Sequence, residues 1–229
     1  MKDSKEYSKK IQKLYRSLKR KGPRAANVTY EDPIDALVYA VVSEHITEKQ
    51  AQTAFKNFTS YFLDLNDLRV SRPEEIMELL GEDKILTRQI TLNLKKALQK
   101  IFDTHNIVSL IDLKKMGKRP VKETLEKIEG LSSFSVNYCM LTAFGGHSIP
   151  LTGKMLEYLK SGEYVHPQAT EEEIEGFLTR QIPAKNGYEF YTLLRKASES
   201  EKKRQKITST GTEPEKKKKE TKQKPEDNS

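Results

Sequence analysis

The chain has 229 residues, a size that suits one domain with tails or two small lobes. Its single cysteine, Cys139, excludes an internal disulfide and any four-thiolate iron–sulfur or zinc site. No apolar run approaches the roughly 18 residues needed to span a bilayer, and the Lys-rich start lacks the apolar core of a secretory signal, so an intracellular protein is expected.

The formal net charge of +8 is concentrated at the ends. Residues 1–30 carry ten Lys/Arg against two Asp/Glu, residues 201–229 carry ten against six, and residues 31–200 carry 21 against 25. This divides the chain into a basic N-terminal helix or arm (1–30), a globular part (31–200) and a Lys-rich tail (201–229). Cationic arms attract a polyanion through counterion release, which favours nucleic acid as partner over a purely solubilising role.

In the first segment Ile11, Leu14, Tyr15 and Leu18 recur at helical spacing among Lys9, Lys10, Lys13, Arg16, Lys19 and Arg20. The pattern predicts a basic amphipathic helix ending near Gly22-Pro23, its apolar face docked and its charges outward. The apolar stripe lacks Trp or Phe, which argues against a membrane-surface helix. From Asp32 helix follows helix. Asp32 caps, Pro33 takes the first helical position, and Ile34, Leu37, Val38, Val41 and Val42 follow. Thr47 with Gln50 forms a capping box ahead of Ala51, Ala54, Phe55, Phe58 and Phe62. Ser71 with Glu74 reads as a second box, and Gly81 as a stop. Apolar spacing from Ile85 to Ile101 extends a helix to about Phe102. Further helices are expected to start near Val121, Ser133, Lys154, Thr170 and Gly187. From about Glu201 the chain, including Lys216 to Lys219, is too polar to offset the entropy of ordering and is expected to be disordered. The fold class is all-α, and Cys139 falls in an apolar stretch that suits a buried structural thiol.

The most specific stretch runs from Leu125 to Gly145. A helix is expected to end at Ile128, a tight turn to follow at Gly130, and a new helix to begin at about Ser133. Such a turn leaves backbone N–H groups unpaired at a helix N-terminus, which suits one phosphate. At Gly130 a Cβ would obstruct both the turn and the approach of a backbone. This segment resembles the hairpin of the endonuclease III-like helix-hairpin-helix DNA glycosylase superfamily, which reads roughly Leu-Pro-Gly-Val-Gly and is followed by Thr-Ala-Phe-Gly. Thr142-Ala143-Phe144-Gly145 matches the second element without a gap, and Pro33 to Glu48 resembles the superfamily's first domain helix and its turn. The similarity spans about residues 30–195. It implies a two-lobed, all-helical fold with a DNA-binding cleft, and double-stranded DNA as partner.

Carried across residue by residue, the resemblance also exposes departures. The hairpin's first glycine is Gly130, but its second falls at Ser132, whose hydroxyl can cap the next helix. The Schiff-base lysine of bifunctional members falls at Phe134, which is no nucleophile. The aspartate that stabilises the sugar cation falls at Thr152, which carries no charge. The cluster cysteines are missing. His45, in the turn Ser43-Glu44-His45, stands where the superfamily places a glutamine that fills the gap left by a flipped base; a surface histidine is the plainer reading. Lys154 is the one candidate for a relocated nucleophile, with Glu157 a turn further on, but a cleft lysine touching phosphate or solvent is preferred. Gly153-Lys154 is no phosphate-binding loop, since Ser148 stands where the earlier glycine is required. His105, His147 and His166 show no metal spacing, so neither a metal nor a cofactor is expected.

The DNA-contact set is therefore Gly130, Leu131, Ser132, Ser133, His45 and Lys154. Three readings follow: a non-catalytic, monomeric binder of duplex DNA, which is preferred; an active base-excision glycosylase with displaced catalytic groups; and a helical protein-binding scaffold. Backbone electrostatics alone do not separate DNA from RNA.

Overall fold

The computed structural model describes residues 4–22, 28–81 and 84–209, with side chains described as far as residue 200. All regular elements among these residues are helical: α1 (Ser4–Lys21), α2 (Pro33–Ser43), α3 (Glu48–Tyr61), α4 (Leu65–Val70), α5 (Pro73–Leu80), α6 (Lys84–His105), α7 (Lys118–Leu125), α8 (Ser133–Thr142), α9 (Gly153–Ser161), α10 (Glu171–Gln181) and α11 (Gly187–Ser209). Short 3₁₀ turns occupy Ile111–Lys115 and Ala184–Asn186. None of these helices is long and apolar enough to cross a membrane.

The packing partners divide the helices into two lobes. In the first, α2 lies against α3, α6 and α8, α5 packs on α3 and α6, α4 packs on α6, and α7 packs on α8. In the second, α11 packs on α1 and α9, and α1 on α10. The lobes meet where α11 crosses α8. The reason is visible in the sequence of α2, whose ten residues from Pro33 to Ser43 other than Asp35 are all buried. A helix apolar on every side belongs at the centre of a lobe.

Local chemistry sets most helix starts as expected. Asp32 accepts from the Ile34 N–H at 3.0 Å, Thr47 and Gln50 form their capping box, and Thr170 with Glu173 forms another. One cap differs. The box expected at Ser71 and Glu74 falls one residue later, because Pro73 takes the first helical position and makes Arg72 the cap. The Arg72 N–H donates to Glu75 Oε2 at 3.3 Å, while the Ser71 hydroxyl closes α4 by donating to the Leu68 carbonyl at 2.7 Å. Helix α4 was not evident from the pattern, since six residues with one buried side chain, Leu68, carry too little periodicity.

Helix α1 is docked along its length. Ile11, Leu14, Tyr15 and Leu18 are all buried, a gain on the order of 6–12 kcal/mol before the entropy of ordering. Polar ties fix its register: Ser8 donates to the Gln181 side chain at 2.5 Å, the Gln12 amide to the Gln181 carbonyl at 2.8 Å, and Tyr15 to Glu189. At the other end, the backbone of α11 continues to Ser209, eight residues past the expected start of the tail. Residues 210–229, with the Lys216–Lys219 run, lie outside the described residues.

Candidate nucleic-acid interface

Helix α7 ends at Leu125, three residues before the expected stop at Ile128. The intervening residues tighten into a 3₁₀ turn, with Lys127 N–H on the Thr124 carbonyl at 3.2 Å and Ile128 N–H on Leu125 at 3.1 Å, a common way to satisfy terminal carbonyls. Gly130 then adopts φ +93°. A Cβ there would lie 2.3 Å from the Asn93 carbonyl oxygen, so the glycine is required both by its backbone conformation and by the close passage of α6. The obstructing backbone is the protein's own.

Ser132 caps α8 as expected, accepting from the Ser135 N–H at 3.1 Å. Its hydroxyl has a second use: it donates to Glu44 Oε2 at 2.6 Å, tying the hairpin to the end of α2. Neither Gly130 nor Ser132 nor the first helical residues, Ser133 and Phe134, has its N–H on a carbonyl of the described residues. The hairpin therefore presents a cluster of free donors at a helix N-terminus, with Ser133 exposed and Leu131 half-buried beside it. At the other end of α8, Gly145 takes φ +60° and turns the chain of the Thr-Ala-Phe-Gly element toward α9.

A second recess lies beside the hairpin. Glu44, His45, Ile46, Thr152, Gly153, Lys154 and Glu199 enclose a pocket of about 140 Å³. His45, Thr152 and Lys154, not adjacent in sequence, thus line one pocket. His45 sits on the turn after α2 with 39% of its side chain exposed, 3.9 Å from the Glu44 carboxylate. Thr152 is buried and its hydroxyl caps α9, accepting from the Met155 N–H at 3.3 Å. Phe134 is 1% exposed, stacked on Tyr138 with centroids 6.1 Å apart and tilted against Tyr191. It belongs to the core and lines no part of the pocket. Glu157 is exposed on α9, away from these walls.

No motif or spacing points to what holds this pocket in shape. Arg195, 2% exposed, reaches from α11 under the turn after α2. Its Nη2 donates to the Ser43 carbonyl at 2.6 Å and the Ile46 carbonyl at 3.1 Å, and its Nη1 to the Tyr191 hydroxyl at 2.6 Å. Nε–H donates to Glu199 at 3.1 Å; Glu48 Oε2 lies equally near but off that direction, so it is ion-paired without a hydrogen bond. Glu199 also accepts from the Glu48 N–H at 2.9 Å, and Glu48 from Tyr39 at 2.5 Å. Burial disfavours the charged guanidinium, but Tyr191, Glu48 and Glu199 outweigh it and raise its pKa. A lone arginine in an amphipathic helix has no signature that separates it from a solvated one; only the fold brings its carboxylates together.

Burial also raises the Glu171 and Glu175 carboxyls, with Glu44 adding to the effect at Glu171 and the Asn137 side chain opposing it at Glu175. Cys139 is fully buried, and burial pushes its thiol well above the usual range. His147 bonds the Ile182 carbonyl at 2.8 Å and His166 packs edge-on to Tyr7. Among the described residues no three His, Cys, Asp or Glu side chains are grouped to hold a metal ion.

No protein-family model and no curated protein matches the chain. Solved structures do. The chain superposes with a TM-score of 0.64 at 16% identity on endonuclease III trapped as a covalent DNA intermediate, covering 82% of this chain and 84% of that one. It does so with the same score and identity on the Clostridium acetobutylicum 8-oxoguanine glycosylase/lyase bound to duplex DNA with cytosine opposite 8-oxoguanine, over 87% and 71%. The Helicobacter pylori 3-methyladenine DNA glycosylase bound to 1,N6-ethenoadenine matches at 0.60 and 15%, over 88% and 98%. These likenesses establish the fold: it is that of the helix-hairpin-helix DNA glycosylases.

Proposed function

We propose that this helix-hairpin-helix glycosylase fold serves to grip duplex DNA without turning it over. Phosphate is held by the free N–H groups of the hairpin from Gly130 to Ser133, and His45 and Lys154 face the strand from the neighbouring pocket. One observation carries the non-catalytic part. Of the two positions where the resemblance expects chemistry, Phe134 is packed in the aromatic core and the Thr152 hydroxyl is spent on capping α9. Neither offers a nucleophile or a negative charge to a sugar. The protein acts as an intracellular monomer and needs no cofactor.

A second reading is favoured by one feature of the pocket. Glu44 and Glu199 line it beside Lys154, so carboxylates stand near the place left empty by Thr152. Both are already engaged, Glu44 by Ser132 and Glu199 by Arg195 and the Glu48 N–H. The two readings part on turnover. Duplexes carrying uracil, oxidised pyrimidines, alkylated purines or abasic sites are bound and left intact under the first. Base release that disappears in Glu199→Gln, or a borohydride-trapped adduct that disappears in Lys154→Ala, establishes the second.

A further inference from the structure

A groove of about 400 Å³ lies between α1 and the far end of α9, lined by Lys10, Lys13, Ser17 and Lys21 on one side and Tyr158 and Tyr164 on the other. Helix α1 carries eight Lys/Arg against the single Glu6. Because its apolar face is buried against α10 and α11, these charges are held in fixed positions, so binding there does not require ordering a mobile arm. The groove's lining includes one acid, Glu163, whose charge acts on Lys10. Lys10 pairs with Glu6 at 3.1 Å and is further raised by Glu163. Lys13 and Lys21 are exposed and have no carboxylate partner among the described residues. Opposite them, Tyr158 and Tyr164 are stacked at 5.9 Å, giving the groove a firm aromatic wall beside Glu163.

Two helices measure its distance from the hairpin side. Helix α9 starts at Gly153 in the pocket with His45 and ends at Ser161 beside the groove. Helix α11 runs from Glu189, which holds Lys19 of α1 at 3.0 Å, to Glu199 in the same pocket. At 1.5 Å per residue both spans are about 12–15 Å, or about four base pairs along a duplex.

We propose that the α1–α9 groove is a second phosphodiester-backbone site, with Lys13 and Lys21 as its cations, separate from the phosphate site of the hairpin. This rests on the DNA-binding reading above. The shared chemistry is a nucleic-acid backbone; its source is either the flank of the duplex seated on the hairpin or a second nucleic-acid segment.

The test uses the full chain and fluorescein-labelled DNA duplexes of about 8 and 24 base pairs, with anisotropy read from 50 to 200 mM salt. Comparison is between wild type, Lys13→Ala/Lys21→Ala, Ser133→Glu, and Lys56→Ala/Lys84→Ala, which removes two exposed lysines elsewhere. Two lost phosphate contacts reduce the salt slope by about 1.8, so Lys13→Ala/Lys21→Ala is expected to lose about tenfold less affinity than wild type across that range. A reduced slope with one duplex bound per chain in wild type and variant alike assigns the flank of one duplex. An effect on both lengths, with two duplexes bound per wild-type chain and one per variant, assigns a second segment. A slope equal to wild type, or equal to that of Lys56→Ala/Lys84→Ala, overturns the groove site. If Ser133→Glu still weakens binding in that case, the hairpin reading stands without it. No binding by wild type at 50 mM salt overturns both.

Discussion

Arg195 is the residue on which the shape of the candidate site depends, and Arg195→Met tests that dependence. Methionine keeps much of the volume of the stem and removes the charge. The guanidinium donates to two carbonyls of the turn after α2, to the Tyr191 hydroxyl and to Glu199, and it is ion-paired with Glu48. Removing it leaves carboxylates of Glu48 and Glu199 facing one another and two turn carbonyls without donors. Loss of one partner from a buried ion pair costs about 3–5 kcal/mol. For a domain of this size each kcal/mol lowers Tm by about 2–4 °C, so the expected fall is about 6–20 °C. Thermal unfolding followed by circular dichroism at 222 nm reads it. The same variant is expected to weaken duplex binding below its Tm, since His45 stands on the turn that Arg195 holds. Adding Glu48→Gln and Glu199→Gln is expected to recover part of the stability by removing the stranded charges. A fall in Tm under 2 °C, or no recovery, refutes the account of the buried network.

Three further outcomes follow from the same structure. Gly130→Ala places a Cβ 2.3 Å from the Asn93 carbonyl oxygen at φ +93° and is expected to cost at least about 2 kcal/mol, read as a lower denaturant midpoint with unchanged slope. Glu175→Gln is expected to raise stability at pH 7. Its carboxyl is raised on folding, mainly by burial, so the folded state binds the proton more tightly than the unfolded chain. The ionised form therefore costs stability as pH rises through the folded pKa, and the advantage of glutamine vanishes below the ordinary carboxylate range; melts at pH 4 and pH 7 check it. Cys139 is expected to react with a chromogenic disulfide reagent only after denaturation, releasing one equivalent per chain, because the buried thiol is kept protonated.

Much of this fold was legible because its signals are local. Asp32-Pro33, Thr47 with Gln50, and Thr170 each mark a helix start through contacts two or three residues apart, and the burial of Ile11, Leu14, Tyr15 and Leu18 follows from their spacing. The exchange of the Ser71 cap for Arg72 is a one-residue contest that proline decides. The hairpin was legible too, because Gly130, Ser132 and Thr142-Ala143-Phe144-Gly145 lie within sixteen residues. The pocket was legible only in part. His45, Thr152 and Lys154 line one pocket, but Glu199 joins them from a helix some forty residues on, and Arg195 of the same helix holds the turn beneath. No periodicity encodes that crossing of α11 over α8. The bond from Ser132 to Glu44, 88 residues apart, was hidden for the same reason.

The central claim, that the hairpin seats a DNA phosphate on its free N–H groups, is tested most directly by Ser133→Glu. Ser133 is exposed at the first position of α8, where a carboxylate stabilises the helix and places a negative charge on the phosphate site. Anisotropy titration with a 24-base-pair duplex at 50 mM salt is the measurement. The account predicts wild-type binding that does not depend on sequence, weakened at least tenfold in Ser133→Glu with Tm unchanged or raised. Equal affinity for the two proteins would contradict it.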